Sequence, residues 1–166
     1  MKDDELLGKA RICALSPADL GWVLPLNKTH ESELSPLSMA RLGELVDAAF
    51  YAAGADAAAF LLAFDETGHY DSPNFLWFRA RFERFVYVDR IAVAPHARGR
   101  GLARLLYEDL FRRTRQTGRS TIVCEVNTVP ANPSSDAFHD RLGFTEVGRA
   151  VLEDRKKSVR YLYKAL

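Results

Sequence analysis

Residues 85–103 decide most of what this chain can become: Phe-Val-Tyr-Val-Asp-Arg-Ile-Ala-Val-Ala-Pro-His-Ala-Arg-Gly-Arg-Gly-Leu-Ala. Phe85 to Val93 have strand composition, and Pro95, which lacks a backbone donor, ends the strand. Gly99 and Gly101 then let a tight loop come close to another molecule. Leu102, Leu105, Leu106 and Leu110 give the following segment the apolar stripe of a helix that runs to Thr117, with Gly118 as its cap. A strand, a loop of bare N–H groups and a helix N-terminus together make an anion site, most often for phosphate. It is not a P-loop, because no Gly-Lys-Ser/Thr follows the glycines. Nor is it a dinucleotide fingerprint, because Gly-x-Gly-x-x-Gly counted from Gly99 ends on Arg104. Arg98 and Arg100 either serve the anion or stand in solvent. Arg112, Arg113 and Arg115 lie in the last turns of the helix, where cations complement its dipole.

A chain of 166 residues fits one domain, 1–166, with a sizeable core. Its net charge of +1 gives no bias towards nucleic acid or membrane, so the expected partner is a small molecule. The longest apolar run, Ala57 to Phe64, is too short to cross a bilayer, and Met1-Lys2-Asp3-Asp4-Glu5 is unlike a secretion signal. The expected location is cytoplasmic. Cys13 and Cys124 are isolated and read as buried, reduced thiols; Cys124 is also readable as an acyl-accepting nucleophile. His30-Glu31 falls short of a zinc-protease motif because position 34 is Leu, and no metal site is expected. Asn27-Lys28-Thr29 is a glycosylation sequon, meaningful only after secretion.

The spacing predicts a strand over 10–16 and a helix from Ser16-Pro17 to Asn27. A second helix starts at Ser35-Pro36 or Ser38 and ends near Phe50; Gly54 breaks the chain before a buried strand over 57–64. Asp65-Glu66-Thr67-Gly68 turns the chain outward. Ser72-Pro73 opens a helix over 72–84 whose stripe is Phe75, Phe78, Phe82 and Phe85. Further strands follow at Thr121–Asn127, Thr145–Leu152 and Ser158–Lys164, with a short helix at Ser134–Arg141 stopped by Gly143.

Arg98-Gly99-Arg100-Gly101-Leu102-Ala103 resembles the Arg/Gln-x-x-Gly-x-Gly/Ala signature of the GNAT superfamily, the acetyl-CoA-dependent N-acyltransferases. About 30 residues further on, Asn132-Pro-Ser-Ser-Asp-Ala-Phe-His-Asp-Arg-Leu-Gly-Phe144 resembles its second signature, an Asn and a short helix ending in Gly-Phe. The resemblance covers Phe85 to Leu166, and before Phe85 rests on element order. It implies an α/β fold in one domain: a mixed, mostly antiparallel sheet of about six or seven strands, helices on both faces, and a parallel, splayed fourth and fifth strand. The helix over 72–84 would then be an insertion before the fourth strand. Its aromatics either pack onto the sheet or wall one side of an acceptor pocket.

The resemblance also implies acetyl-CoA as co-substrate and direct acetyl transfer to a primary amine of a small molecule or peptide, and it leaves room for a homodimer. Ile91, Ala92 and Val93 would bond the pantetheine arm. The pyrophosphate would lie on Arg98, Gly99, Arg100, Gly101, Leu102 and Ala103, with Asn132 and Phe138 contributing from the second signature. A backbone N–H at Ala92 or Val93 would polarise the thioester. Where the family usually places a Tyr as acid for the leaving sulfur, this chain has His139, which either takes that role or stands on an exposed helix face. Strict alternation puts Tyr87, Asp89, Ile91 and Val93 on one face, and Glu125 stands between Val123 and Asn127 on the next strand. Asp89 and Glu125 are therefore equal candidates for base or amine anchor, unless each is paired with an arginine such as Arg90. The acidic stretch 65–71 hints at a cationic acceptor. A catalytically weak acyl-CoA-binding or regulatory domain is the alternative function, because of His139.

Overall fold

The computed structural model describes residues 9–166, so the acidic start at Met1–Glu5 lies outside the described residues. The chain opens with β1 (Ile12–Ala14), and Ser16-Pro17 starts a 3-10 turn, Pro17–Asp19, before α1 (Leu20–Thr29). Of the two starts foreseen for α2 (Met39–Ala48), Ser38 is the cap: its Oγ accepts the N–H of Arg41 at 3.1 Å.

Next come β2 (Tyr51–Ala55) and β3 (Ala59–Asp65), an antiparallel hairpin closed by Asp56 and Ala57 at φ 52° and 48°. Two successive positive φ values give the turn a twist that matches its strands, and Ala58, the third residue of the loop, donates its N–H to the Ala55 carbonyl at 2.9 Å. β2 lies where no strand is expected from the sequence, and β3 starts two residues later than the apolar run over 57–64 predicts. An alanine- and glycine-rich segment carries no strand signal of its own; ladders to β1 and β3 on its two sides hold it extended.

After α3 (Pro73–Arg79) follow β4 (Val86–Val93), α4 (Leu102–Gln116), β5 (Thr121–Val129), α5 (Pro133–Arg141), β6 (Thr145–Leu152) and β7 (Lys157–Ala165). They complete one sheet of seven strands in the order β1-β2-β3-β4-β5-β7-β6. Ala59 to Phe64 on β3 are all buried, which requires cover on both faces. α4 lies along β2, β3 and β4, while α1 and α2 pack on each other and reach β4 and β3 respectively. Among the described residues no helix is long and apolar enough to cross a membrane.

Two irregularities set up the site. Between β3 and β4 the register jumps from Leu62 opposite Arg90 to Ala63 opposite Val88, leaving Asp89 as the extra residue of a bulge. The strict alternation expected from Tyr87 to Val93 is therefore broken at Asp89. Between β4 and β5, the one parallel pair, the ladder holds at Val86–Ile122 and Tyr87–Val123 and goes no further. Beyond that point the strands part.

α3 is shorter than the predicted helix and ends before Phe82. Its aromatic face packs onto the sheet: Phe78 meets Tyr161 edge-on at 5.1 Å, and Trp77 stacks on Tyr161 at 4.1 Å. The outer face of Trp77 carries the Arg81 guanidinium at 3.9 Å. Gly148, at a register shift between β6 and β7, makes this stack fit, because a Cβ there would fall 2.5 Å from the Trp77 ring. Gly148→Ala is expected to destabilise the fold by about 1–3 kcal/mol, the usual cost of overpacking a core. Urea denaturation followed by Trp fluorescence checks this, and an unchanged midpoint would show that the stack is loose.

Candidate active site

The loop after β4 is shaped for a ligand. Gly99 and Gly101 sit at φ 77° and 74°, a conformation that side-chain-bearing residues rarely adopt, and a Cβ on either would meet nothing within 4 Å. Open space beside a positive-φ loop that leads into the fifteen-residue α4 fits an anion cradle. From it a groove of about 480 Å³ runs along the far end of β4, with α5 as its other wall. Ile91, Ala92, Val93, Arg98, Gly99, Ala103, Asn132 and Phe138 all line it, together with His139. The remaining three predicted contacts contribute no side chain there: Gly101 is the N-terminal cap residue of α4, Leu102 is buried, and Arg100 pairs with Asp56 at 2.8 Å. Asn132 caps α5 by accepting the N–H of Ser135 at 3.3 Å, which leaves its amide donors free.

Past Tyr87, the β5 side of β4 has no strand partner. The N–H of Ala94 points to the other side, where Ala58 accepts it at 2.7 Å. Alternation along the strand then turns Ala92 the same way and aims the backbone groups of Ile91 and Val93 into the groove. Of the two N–H groups considered for polarising a thioester, that of Val93 faces the right side.

Glu125 stands in the gap on β5. Its Oε1 accepts from Asn74 Nδ2 and from the Tyr87 hydroxyl, each at 3.0 Å, while its Oε2 is buried and has no hydrogen-bond partner among the described residues. Tyr161 in turn donates to Asn74 Oδ1 at 2.9 Å, so the amide of α3 ties the carboxyl to β7. Burial first, and the nearby charge of Asp89 second, push the Glu125 carboxyl up to about 8. A carboxyl that releases its proton near neutrality, with one oxygen facing a pocket, is equipped for general base work.

Asp89 has different surroundings. Its Oδ2 receives Arg90 Nε at 2.7 Å and its Oδ1 the Tyr70 hydroxyl at 2.7 Å, so both oxygens are engaged. The pair is almost fully enclosed, with side-chain exposures of 6% and 4%. Arg90 also donates to Asn27 Oδ1 at 2.8 Å and to the Ser35 carbonyl at 3.1 Å. Asn27, the sequon residue, is thus a buried tie between α1 and the loop over residues 30–38 that overhangs the pocket.

His139 is buried rather than on an exposed helix face. Its Nδ1 donates to the Ser135 carbonyl at 2.8 Å, which leaves Nε2 to accept the Tyr107 hydroxyl at 2.7 Å. Burial holds the imidazole below its ordinary 6.5 and therefore neutral, and burial likewise raises the Tyr107 phenol. Tyr107, Cys124, Glu125 and His139 line one small pocket. Cys124 is buried and its thiol is pushed well up by desolvation, which argues against the nucleophile reading. Cys13, expected to be buried, is exposed. Tyr107 and Asn74 escaped the sequence reading. Tyr107 carried one signal, as the hydroxyl-bearing residue beside the leucine stripe of α4.

With this geometry in view, the model of the Acetyltransferase (GNAT) family matches residues 27–144, well over half of the chain. The chain belongs to this family of acetyl-CoA-dependent acetyltransferases. Solved structures with the same fold include Ard1 from Thermoplasma volcanium, at TM-score 0.75 and 14% identity over 95% of this chain and 97% of that one. Another is yncA from Salmonella typhimurium with its cofactor acetyl-CoA, at TM-score 0.71 and 16% identity over 96% and 95%. The ribosomal-protein-alanine N-acetyltransferase from Brucella melitensis matches at TM-score 0.69 and 18% identity over 94% and 99%. A comparison with curated proteins gives no sequence match.

The raised Glu125 has a consequence for stability. Its folded value of about 8 stands above the ordinary 4.5, so between these values the folded state holds a proton that the unfolded chain has lost. Stability therefore falls as pH rises through this window. Urea unfolding at pH 5 to pH 9 is expected to show that decline in the native chain and a flatter profile in Glu125→Gln. Equal slopes would mean that Glu125 ionises normally.

Proposed function

We propose that this enzyme transfers the acetyl group of acetyl-CoA directly to a primary amine of a small molecule or peptide, with both substrates bound together. The observation that carries this reading is the unpartnered, buried Glu125 Oε2 in the gap where the strands part. Acetyl-CoA supplies the acetyl group and takes away a thiolate. On the protein side, the loop at Arg98 and Gly99 and the N-terminus of α4 hold negative charge, and the Val93 N–H bonds the carbonyl as charge develops on its oxygen. Glu125 Oε2 accepts the proton of the incoming amine, directly or through one water.

Tyr107 is the proton donor for the departing sulfur: its hydroxyl turns from His139 Nε2 to the thiolate, gives up its proton there, and the phenolate regains one from solvent. His139 is a positioning residue: its neutral ring, fixed by Ser135, orients the Tyr107 hydroxyl. This reassigns the role foreseen for His139, whose two ring nitrogens are both engaged. Asp89, locked to Arg90 and Tyr70, anchors the site and raises Glu125 rather than acting as base. The two free cysteines fit a reducing compartment, and the reading places the enzyme in the cytoplasm.

Thiol release from acetyl-CoA in the presence of an amine panel tests the reading. With an acceptor whose amine ionises below pH 6, kcat/KM is expected to rise with an apparent pKa near 8. Glu125→Gln should abolish that limb and lower kcat by ~10²-fold or more, and Tyr107→Phe should lower kcat by ~10²-fold, the usual worth of acid–base groups. Tight acetyl-CoA binding without amine-dependent thiol release would favour an acyl-CoA-binding domain instead.

A further inference from the structure

Around the parted strands, the side facing away from the cofactor groove has taken no part in the chemistry so far. The 3-10 turn Glu153–Arg155 and the start of β7 form it, across from Glu33 to Ser35 of the overhanging loop, and its pocket is continuous with Glu125. Its charges can be counted by their partners. Asp89 and Arg90 neutralise each other at 2.7 Å, and Glu125 holds its proton up to about pH 8. Asp65 and Glu66, which hinted at a cationic acceptor, are taken by Arg119 at 3.2 and 2.9 Å.

What remains on the pocket wall is Arg155 and Lys157, neither of which pairs with a carboxylate among the described residues, and the exposed Glu33. Both cations stand on the pocket wall because Lys156, between them, takes a left-handed conformation at φ 51° and reverses the chain into β7. The neighbouring Glu153 and Asp154 are exposed and do not line the pocket. In a chain whose net charge is only +1, the rim of this pocket is therefore locally positive.

We propose that the acceptor is an amine that also carries an anionic group, with the amine directed at Glu125 and the anion held by Arg155 and Lys157. The inference rests on the acetyl-transfer reading and narrows it to a substrate class. With only Glu33 against them, the two cations leave the rim positive, which favours an anion electrostatically and disfavours a polycationic acceptor. They also act on the nucleophile, since positive charge nearby lowers the pKa of an ammonium group and eases the proton transfer to Glu125. The anion has two sources: the carboxylate of a free amino acid, or an acidic side chain beside the amino end of a peptide.

Matched acceptors test this by thiol release from acetyl-CoA: free amino acids against their amides, and short peptide amides with Asp, Asn or Lys as second residue. The anionic member of a matched set is expected to exceed its neutral partner by about tenfold in kcat/KM, chiefly through KM, and the Lys peptide to be poorest. Whichever set shows the preference identifies the source. The preference should shrink as salt screens it, from about 20 mM to 500 mM. It should fall to about one in the double variant Arg155→Gln, Lys157→Gln, and reverse in Arg155→Glu, Lys157→Glu. Equal or better turnover of neutral and cationic acceptors by the native enzyme overturns this inference alone, as does a preference that survives the Gln substitutions. Cofactor binding without release from any acceptor overturns the acetyl-transfer reading and this inference with it.

Discussion

The parting of β4 from β5 after Tyr87 and Val123 is the constraint on which the rest depends. Parallel neighbours in the middle of a sheet ordinarily pair along their length, because unpaired N–H and C=O groups inside a protein are costly. Here two residue pairs hold the strands together and the rest of each strand is committed elsewhere: β4 to β3, β5 to β7. The bulge at Asp89 bends β4 at the point of divergence and frees one acidic residue from the alternation. The backbone groups of Ile91 and Val93 are left facing a groove, which suits an extended polar arm laid along the strand edge.

Polar side chains fill the fork itself, where apolar packing would close it. Two of them, the enclosed Asp89–Arg90 pair, compensate each other's charge, and one, Glu125, has its carboxyl pushed up to about 8. Their roles differ because their partners differ. Arg90 compensates Asp89 directly, whereas Glu125 has hydrogen bonds to Asn74 and Tyr87 on one oxygen and no ion-pair partner among the described residues. The charge on Asp89 then works against ionisation of Glu125. Of two carboxyls on neighbouring strands, the one without a cation partner has its proton affinity raised, which suits it to the proposed role of base.

Much of this was legible in the sequence. Pro95, Gly99 and Gly101 announced the strand, loop and helix of the anion cradle, and Asn132 to Phe144 announced the second half of the groove. Glu125 and Asp89 stood out as acids on apolar strands, but the sequence could not rank them. Their ranking depends on a bulge created by pairing with β3, and on contacts to Tyr70, 19 residues from Asp89, and to Asn74, 51 residues from Glu125. β2 was missed because its alanines are held by neighbours rather than by propensity. His139 was legible as a departure from the usual Tyr. That it is backed by a hydroxyl from α4 was not, since Tyr107 lies 32 positions away.

The segment before β4 shows why packing onto the sheet and shaping a pocket need not be alternatives. Phe75, Phe78 and Trp77 pack onto Tyr87 and Tyr161, which is the structural role. Asn74, one residue before that aromatic face, uses the rigidity so gained to hold Glu125 Oε1 and accept from Tyr161. Tyr70, just upstream of the helix, does the same for Asp89 while stacking on Phe64 at 4.6 Å. A hydrogen bond to a buried carboxyl is useful only if its donor cannot drift, and an aromatic wall three rings deep supplies that restraint. The segment therefore shapes the pocket through its packing: the phenylalanines hold in place the asparagine that bonds the buried carboxyl.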